Sequence, residues 1–328
     1  MKWVWRIALG LVVVFAAAFL LLREPDTDPA EMRAKYGGAP SQFVELPSGA
    51  TVHLRDEGPR DAPAILLLHG SNDDLHTWDA WAQALKDDHR VVRFDQIGHG
   101  LTGPAPDGDY SQAAFVKTIA EVADAVGLDR FTVGGNSMGG GHALAFAIAH
   151  PERVDGLVLE DAAGAPEESW GDRRDGGNIG FKLARMPVVN RLMEHITPRR
   201  LVAQSFEQSV SNKGVIDDAL VDRYWEMLRY PGNRAATVAR FSQPRESASR
   251  EAVASLQVPV LLIWGRKDRL IPASAGEWFD RTLPDSRLVI YDDVGHLPHL
   301  EVATRSAGEV RRWLDGKGRG NPASTTME

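Results

Sequence analysis

The sequence predicts an α/β fold built on a mostly parallel sheet, and three observations predict it. Short apolar runs of strand length recur along the chain, helix-forming stretches alternate with them, and chemically distinctive residues stand just after several of the runs. The first element is a hairpin: Gln42-Phe43-Val44-Glu45-Leu46, a Pro47-Ser48-Gly49 turn, then Thr51-Val52-His53-Leu54. Residues 64–68, 91–94, 131–133, 156–159, 260–264 and 288–291 follow as apolar strands. Residues 111–126 carry Phe115, Ile119 and Val122 on one helical face. Between the strands at 156–159 and 260–264 lie about 85 residues, 163 to 250, whose pattern is helical over 181–196, 216–228 and 233–241, with Thr197-Pro198 as a helix start.

The chemistry gathers where strands end. Gly135-Asn136-Ser137-Met138-Gly139 follows one apolar run and precedes a helix-forming stretch. A serine between two glycines in that context is held on a strained turn as a nucleophile, and the helix N-terminus behind it favours developing negative charge. A serine hydroxyl needs a base, and the base an orienting acid. Asp268 stands after the strand at 260–264 and is followed by Pro272; His296, preceded by Gly295, stands after the strand at 288–291. That is the edge where open parallel sheets place their sites. Asp161, after 156–159, competes for the acid role, and the Asp-x-x-x-Pro pattern favours Asp268. His299 competes with His296 but lacks the preceding glycine. His69, His99 and His142 read as structural. The oxyanion of an acyl-transfer intermediate needs two donors, for which the backbone amides of Met138 and Ser71 are the candidates.

The ordered set His69-Gly70, Asp95-Gln96-Ile97-Gly98-His99-Gly100, Gly135-Asn136-Ser137-Met138-Gly139, Asp268 with Pro272, and Gly295-His296 resembles the α/β-hydrolase fold family. The likeness covers about residues 40 to 315 apart from the insertion. It implies an eight-stranded, mostly parallel sheet with helices on both faces, a Ser-Asp-His triad of Ser137, Asp268 and His296, and an inserted helical cap over the site. Met186, Met193, Phe206, Trp225 and Met227 are candidate pocket or cap-core residues. The family does not define the substrate. Hydrolysis of small to medium carboxylic esters is the first expectation. Carbon–carbon bond hydrolysis of meta-cleavage dienoates is the alternative, because those enzymes also carry Gly-Asn-Ser-Met-Gly-Gly. Against it, Ser71-Asn72-Asp73-Asp74 stands where they are rich in glycine and proline, and Leu297 where they usually place tryptophan. A ligand-binding relative with little turnover is a third reading.

Composition bounds the rest. A chain of 328 residues with net charge −8 is long enough for one large domain with an insertion and too acidic for a nucleic-acid binder. Absence of cysteine removes disulfides and thiol catalysis, and the scattered histidines give no metal motif, so no cofactor or metal is expected and the expected partner is a small-molecule ester. Lys2 and Arg6 precede an apolar run ending at Leu22; counted from Trp3 it is about twenty residues, roughly the ~30 Å of a bilayer core. The expectation is a transmembrane signal anchor (1–24) and a linker (25–40). The hydrolase core follows (41–162 and 251–315), with a cap (163–250) and a disordered tail (316–328). The positive charges before the run and acidic residues after it place the body on the periplasmic side, with secretion after signal-peptide cleavage as the alternative.

Overall fold

The computed structural model describes residues 2–170, 178–186, 188–244 and 246–316. Eight strands form one sheet: β1 (Gln42–Glu45), β2 (Thr51–Glu57), β3 (Ala64–Leu68), β4 (Arg90–Phe94), β5 (Phe131–Asn136), β6 (Val154–Glu160), β7 (Val260–Gly265) and β8 (Ser286–Tyr291), in the order β1-β2-β4-β3-β5-β6-β7-β8. The first two strands pair antiparallel, β2 pairs antiparallel with β4, and the remaining pairs are parallel. Parallel pairing requires crossovers, and the helices that supply them cover both faces. The side-chain period of two then splits each central strand between two cores. Leu66, Leu68, Leu262 and Trp264 join a cluster with Phe146 and Phe279, whereas Ile65, Leu67, Leu261 and Ile263 join one with Trp78, Trp81 and Trp313.

The chain leaves β3 toward one edge of the sheet and returns through β5 toward the other, so these two neighbours form the switch point. Leu68 and Gly135 are register partners, which places the loop starting at His69 beside the loop carrying Ser137. Asp161 follows β6, Asp268 follows β7 and His296 follows β8 along the same edge.

Between β6 and β7 the described helices are Ile179–Arg185, Val189–Met193, Arg199–Ser209, Asp218–Leu228, Asn233–Phe241 and Arg250–Ala254. The stretch expected as one helix over 181–196 is two, parted where the sequence carries a proline, whose ring and missing N–H oppose a helix interior. The tail expected to be disordered lies, from residue 317 on, outside the described residues.

Two N-terminal expectations change. Residues 25–40 are not a plain linker. Asp28 caps a helix, Pro29–Tyr36, through the amides of Ala30 and Glu31 at 2.8 and 3.0 Å, and Pro29 occupies the first helical position. The segment also ties to the cap: Arg234 pairs with Asp26 at 2.6 Å, and Lys35 and Tyr36 reach Glu226 at 2.7 and 2.6 Å. The expected membrane anchor is overturned. A helix does span Lys2–Leu22, but among the described residues no helix is long and apolar enough to cross a membrane. Lys2 and Arg6 fall inside it, leaving sixteen uncharged residues from Ile7 to Leu22. At 1.5 Å per residue that is about 24 Å, short of the ~30 Å hydrocarbon layer.

Candidate active site

Ser137 ends the strand-to-helix turn between β5 and the helix Met138–Ala149, with φ 54° and ψ −119°. Such a conformation is costly for a residue with a side chain and persists only where packing fixes it. Close approach provides that packing. A Cβ on Gly139 would lie 2.3 Å from the Leu68 carbonyl oxygen, and one on Gly135 2.5 Å from the Gly139 carbonyl carbon. The Ser137 amide donates to the Glu160 carbonyl at 3.0 Å, holding the turn against β6. Met138 is the first residue of the helix, so its amide has no carbonyl four residues back to bond.

His296 is buried and its Nδ1 bonds Asp268 Oδ2 at 2.7 Å. The other Asp268 oxygen accepts the Leu270 and Ile271 amides at 2.7 and 3.1 Å, which fixes the carboxyl's plane. Among the described residues His296 Nε2 has no hydrogen-bond partner, and His296 lines the same cavity as Ser137 and Gly70. The imidazole is clamped through its loop. Asn136 Nδ2 donates to the His296 carbonyl at 3.0 Å, the His296 amide donates to the Ser209 carbonyl at 2.8 Å, and Glu301 accepts the Gly295 amide at 2.8 Å. Neither Asn136 nor Glu301 was singled out for this role by the sequence; their partners are backbone groups more than a hundred residues away or in a loop, which no local pattern signals.

Asp161 lies beside this pair, fully buried, with φ 42° and its Oδ1 accepting the Gly265 amide at 3.0 Å. Burial and the adjacent Asp268 carboxylate push its carboxyl well above the usual range. Its Oδ1 serves the Gly265 amide, and the same burial and neighbouring charge favour its protonated form. Its native state holds a proton that the unfolded chain gives up near pH ~3.9. This contribution to stability is complete below that pH and is lost as pH rises toward the raised native value. Asp161→Asn removes the effect, so the unfolding free energy of the variant is expected to gain on wild type as pH rises from 4 to 8. Urea melts across that range check it; a constant difference would show that Asp161 is already ionised in the native state.

Asp161, Asp268 and His296 bring ligand atoms within 4.8 Å of one another, as a metal would require. Hydrogen bonds hold each of the three there without an ion: Asp268 to His296 and two loop amides, and Asp161 to the Gly265 amide. The competing histidines lie elsewhere. His299 is fully buried between Glu160 (2.6 Å) and Thr77 (2.8 Å). His69 bonds the Gly70 carbonyl and the Gln96 amide. His142 stacks on Phe115 and bonds Gln96, and burial lowers its pKa to about 3.

Two cavities meet at Ser137. One, of about 100 Å³, is mainly apolar, lined by Leu201, Val202, Phe206 and Leu297 with Tyr224 and His296. The other, of about 710 Å³, holds Met138, Tyr110, Phe241 and Arg240. Of the cap residues expected to matter, Met193 and Phe206 line the first cavity. Met227 packs with Met32, Leu101 and Tyr230, Trp225 bonds the Thr197 carbonyl, and Met186 is exposed.

A profile described as alpha/beta hydrolase fold matches residues 63–303, and the chain belongs to that family. It is 31% identical to a 2-hydroxymuconate semialdehyde hydrolase of Pseudomonas putida, over 84% of this chain and 96% of the relative. Among solved structures it is similar to a membrane phospholipase A described as a bacterial virulence factor. That match has TM-score 0.75 and 26% identity, and it covers 98% of this chain and 100% of that one. A meta-cleavage product hydrolase of Pseudomonas fluorescens IP01 shares the fold, with TM-score 0.72, 24% identity and coverage of 84% and 97%.

Proposed function

We propose that the chain is a serine hydrolase of small carbonyl compounds, with Ser137 as nucleophile, His296 as general base and Asp268 as the acid that orients it. The observation that carries this is the placement around one cavity of a strained serine and a carboxylate-bonded imidazole whose Nε2 is unbonded. Nε2 takes the hydroxyl proton as the oxygen adds to the substrate carbonyl, and Asp268 stabilises the imidazolium that forms. The amides of Met138 and Ser71 are the proposed donors to the oxyanion. Collapse expels the leaving group with that proton, and water releases the acyl group by the same steps reversed.

For the bond broken, the curated relatives favour carbon–carbon hydrolysis of a meta-cleavage product over the carboxylic ester expected first from the sequence. A carbon leaving group must hold an electron pair until it is protonated, which conjugation in a dienoate permits. Ester cleavage is the second reading. It is supported by Leu297 beside the imidazole and by likeness over nearly the whole chain to a protein described as a phospholipase A. Steady-state kinetics on a 2-hydroxy-6-oxo-dienoate and on a panel of esters of graded acyl length decide between them. The first reading expects kcat/KM for the dienoate to exceed that for any ester by at least about tenfold, and the reverse order establishes the second. Ligand-induced stabilisation with no turnover of either class would remove both.

A further inference from the structure

Arg240, in the helix Asn233–Phe241, points its guanidinium at the nucleophile turn. Its Nη1 donates to Ser71 Oγ and Met138 Sδ, both at 2.8 Å, and its Nη2 donates to Asn72 Oδ1 at 3.0 Å. All three acceptors are neutral. Among the described residues no carboxylate pairs with Arg240, in contrast to Arg223, held by Asp74 at 3.1 Å, and Arg234, held by Asp26 at 2.6 Å. Part of Arg240 remains accessible through the larger cavity, yet protein around the head group desolvates it and lowers its pKa to about 9. It is still a cation at neutral pH. The Phe241 ring lies 5.1 Å from the guanidinium, but enclosing a charge without an opposite charge is costly, and such groups in native proteins are ordinarily ion-paired.

The mouth of the cavity does not provide the missing charge. Exposed Lys182, Arg185 and Arg269 there outnumber exposed Glu167 and Glu246, and charges in solvent are screened within about 8–10 Å. The smaller cavity, lined by Leu201, Val202, Phe206 and Leu297, suits a hydrocarbon. From this asymmetry we propose that Arg240 is the binding site for an anionic group of the substrate, a carboxylate or phosphate, and that the substrate lies across Ser137 with its anionic end in the larger cavity and its apolar end under the cap. A guanidinium suits both oxyanion classes because its fork can donate two parallel bonds. The inference rests on Ser137 being the nucleophile of a carbonyl hydrolase, and it narrows that reading to substrates carrying charge on one side of the reacting carbonyl.

The test compares wild type, Arg240→Met and Arg240→Lys on three butanoyl esters: those of γ-hydroxybutyrate, of glycol phosphate, and of butanol as the neutral isostere. A dienoate and its methyl ester are run in parallel. Wild type is expected to prefer the anionic member. In Arg240→Met the ratio of kcat/KM for anionic over neutral substrate should fall about 10- to 100-fold, the range for a lost charge-assisted hydrogen bond, and Arg240→Lys should recover part of it. Which anionic ester responds more separates carboxylate from phosphate. Equal losses on charged and neutral substrates would show that Arg240 only braces the Ser71 and Met138 loops, and would overturn the proposal, as would an unchanged ratio. Calorimetric binding of pentanoate, butyl phosphate and pentanol to wild type and Arg240→Lys gives a readout that needs neither turnover nor the methionine variant. Anion binding weakened by the lysine exchange without turnover of any substrate would sink the hydrolase reading alone. Turnover without preference for charge, and no anion binding, would sink the anion site alone.

Discussion

Ser137→Ala is expected to lower kcat by about 10⁶-fold on whichever carbonyl substrate proves best, with His296→Ala close behind, because the members of such a unit fail together. Asp268→Asn should cost about 10⁴-fold, since an amide at that position stabilises the wrong imidazole tautomer. Asp161→Asn separates the two acids. Burial and the neighbouring Asp268 carboxylate favour the protonated form of Asp161, so its neutral amide isostere is expected to leave kcat within about tenfold of wild type. The four variants should melt within a few degrees of the parent, which far-ultraviolet circular dichroism measures directly. A covalent fluorophosphonate adduct on Ser137, mapped by mass spectrometry, completes the set. If Asp161→Asn proves as damaging as Asp268→Asn, the acid has been assigned to the wrong strand end.

Much of this site can be read from the chain because its parts are short and local. Each stands at the end of an apolar run, and β3, β5, β7 and β8 start within two residues of the positions their patterns predict. The serine turn announces itself through glycines whose absent side chains permit the crossing of strand and helix. The features that escaped are those made by distant partners. Asn136 is visible as the residue before the serine, but its grip on the His296 carbonyl spans 160 positions. Arg240 reads in sequence as one more basic residue on an amphipathic helix; only the fold shows that its head group is enclosed beside Met138. Asp161 was weighed as a rival to Asp268, whereas the fold places both side by side. The N-terminal misreading has a different origin. The count of about twenty residues from Trp3 takes in Arg6, and the uncharged part of the helix Lys2–Leu22 is shorter than that count.

Gly265→Ala should combine a large loss of stability with a loss of catalysis, because one backbone crossing supports both acids and the imidazole. A Cβ at Gly265 would lie 1.8 Å from the Gly295 carbonyl oxygen and 2.6 Å from that of Val294. Those atoms are backbone, so no side chain can turn aside, and the loop of residues 294–296 must move away from β7. The Gly265 amide is also the donor that holds Asp161. Overpacking of this kind costs about 3 kcal/mol or more, which for a domain of this size lowers Tm by about 6–12 °C. His296 rides on the displaced loop, one residue beyond Gly295. A shift near 1 Å relative to Ser137 costs about 10²-fold in kcat, since proton transfer requires the imidazole within hydrogen-bond reach of the hydroxyl. Gly38→Ala is the control, because a Cβ there meets no atom within 4 Å. Scanning calorimetry and kcat on the same preparations read both effects. A Gly265→Ala enzyme that keeps parental Tm and kcat would mean that the crossing of β7 and the histidine loop is looser than this packing, and that His296 is held by Asn136 and Glu301 without help from β7.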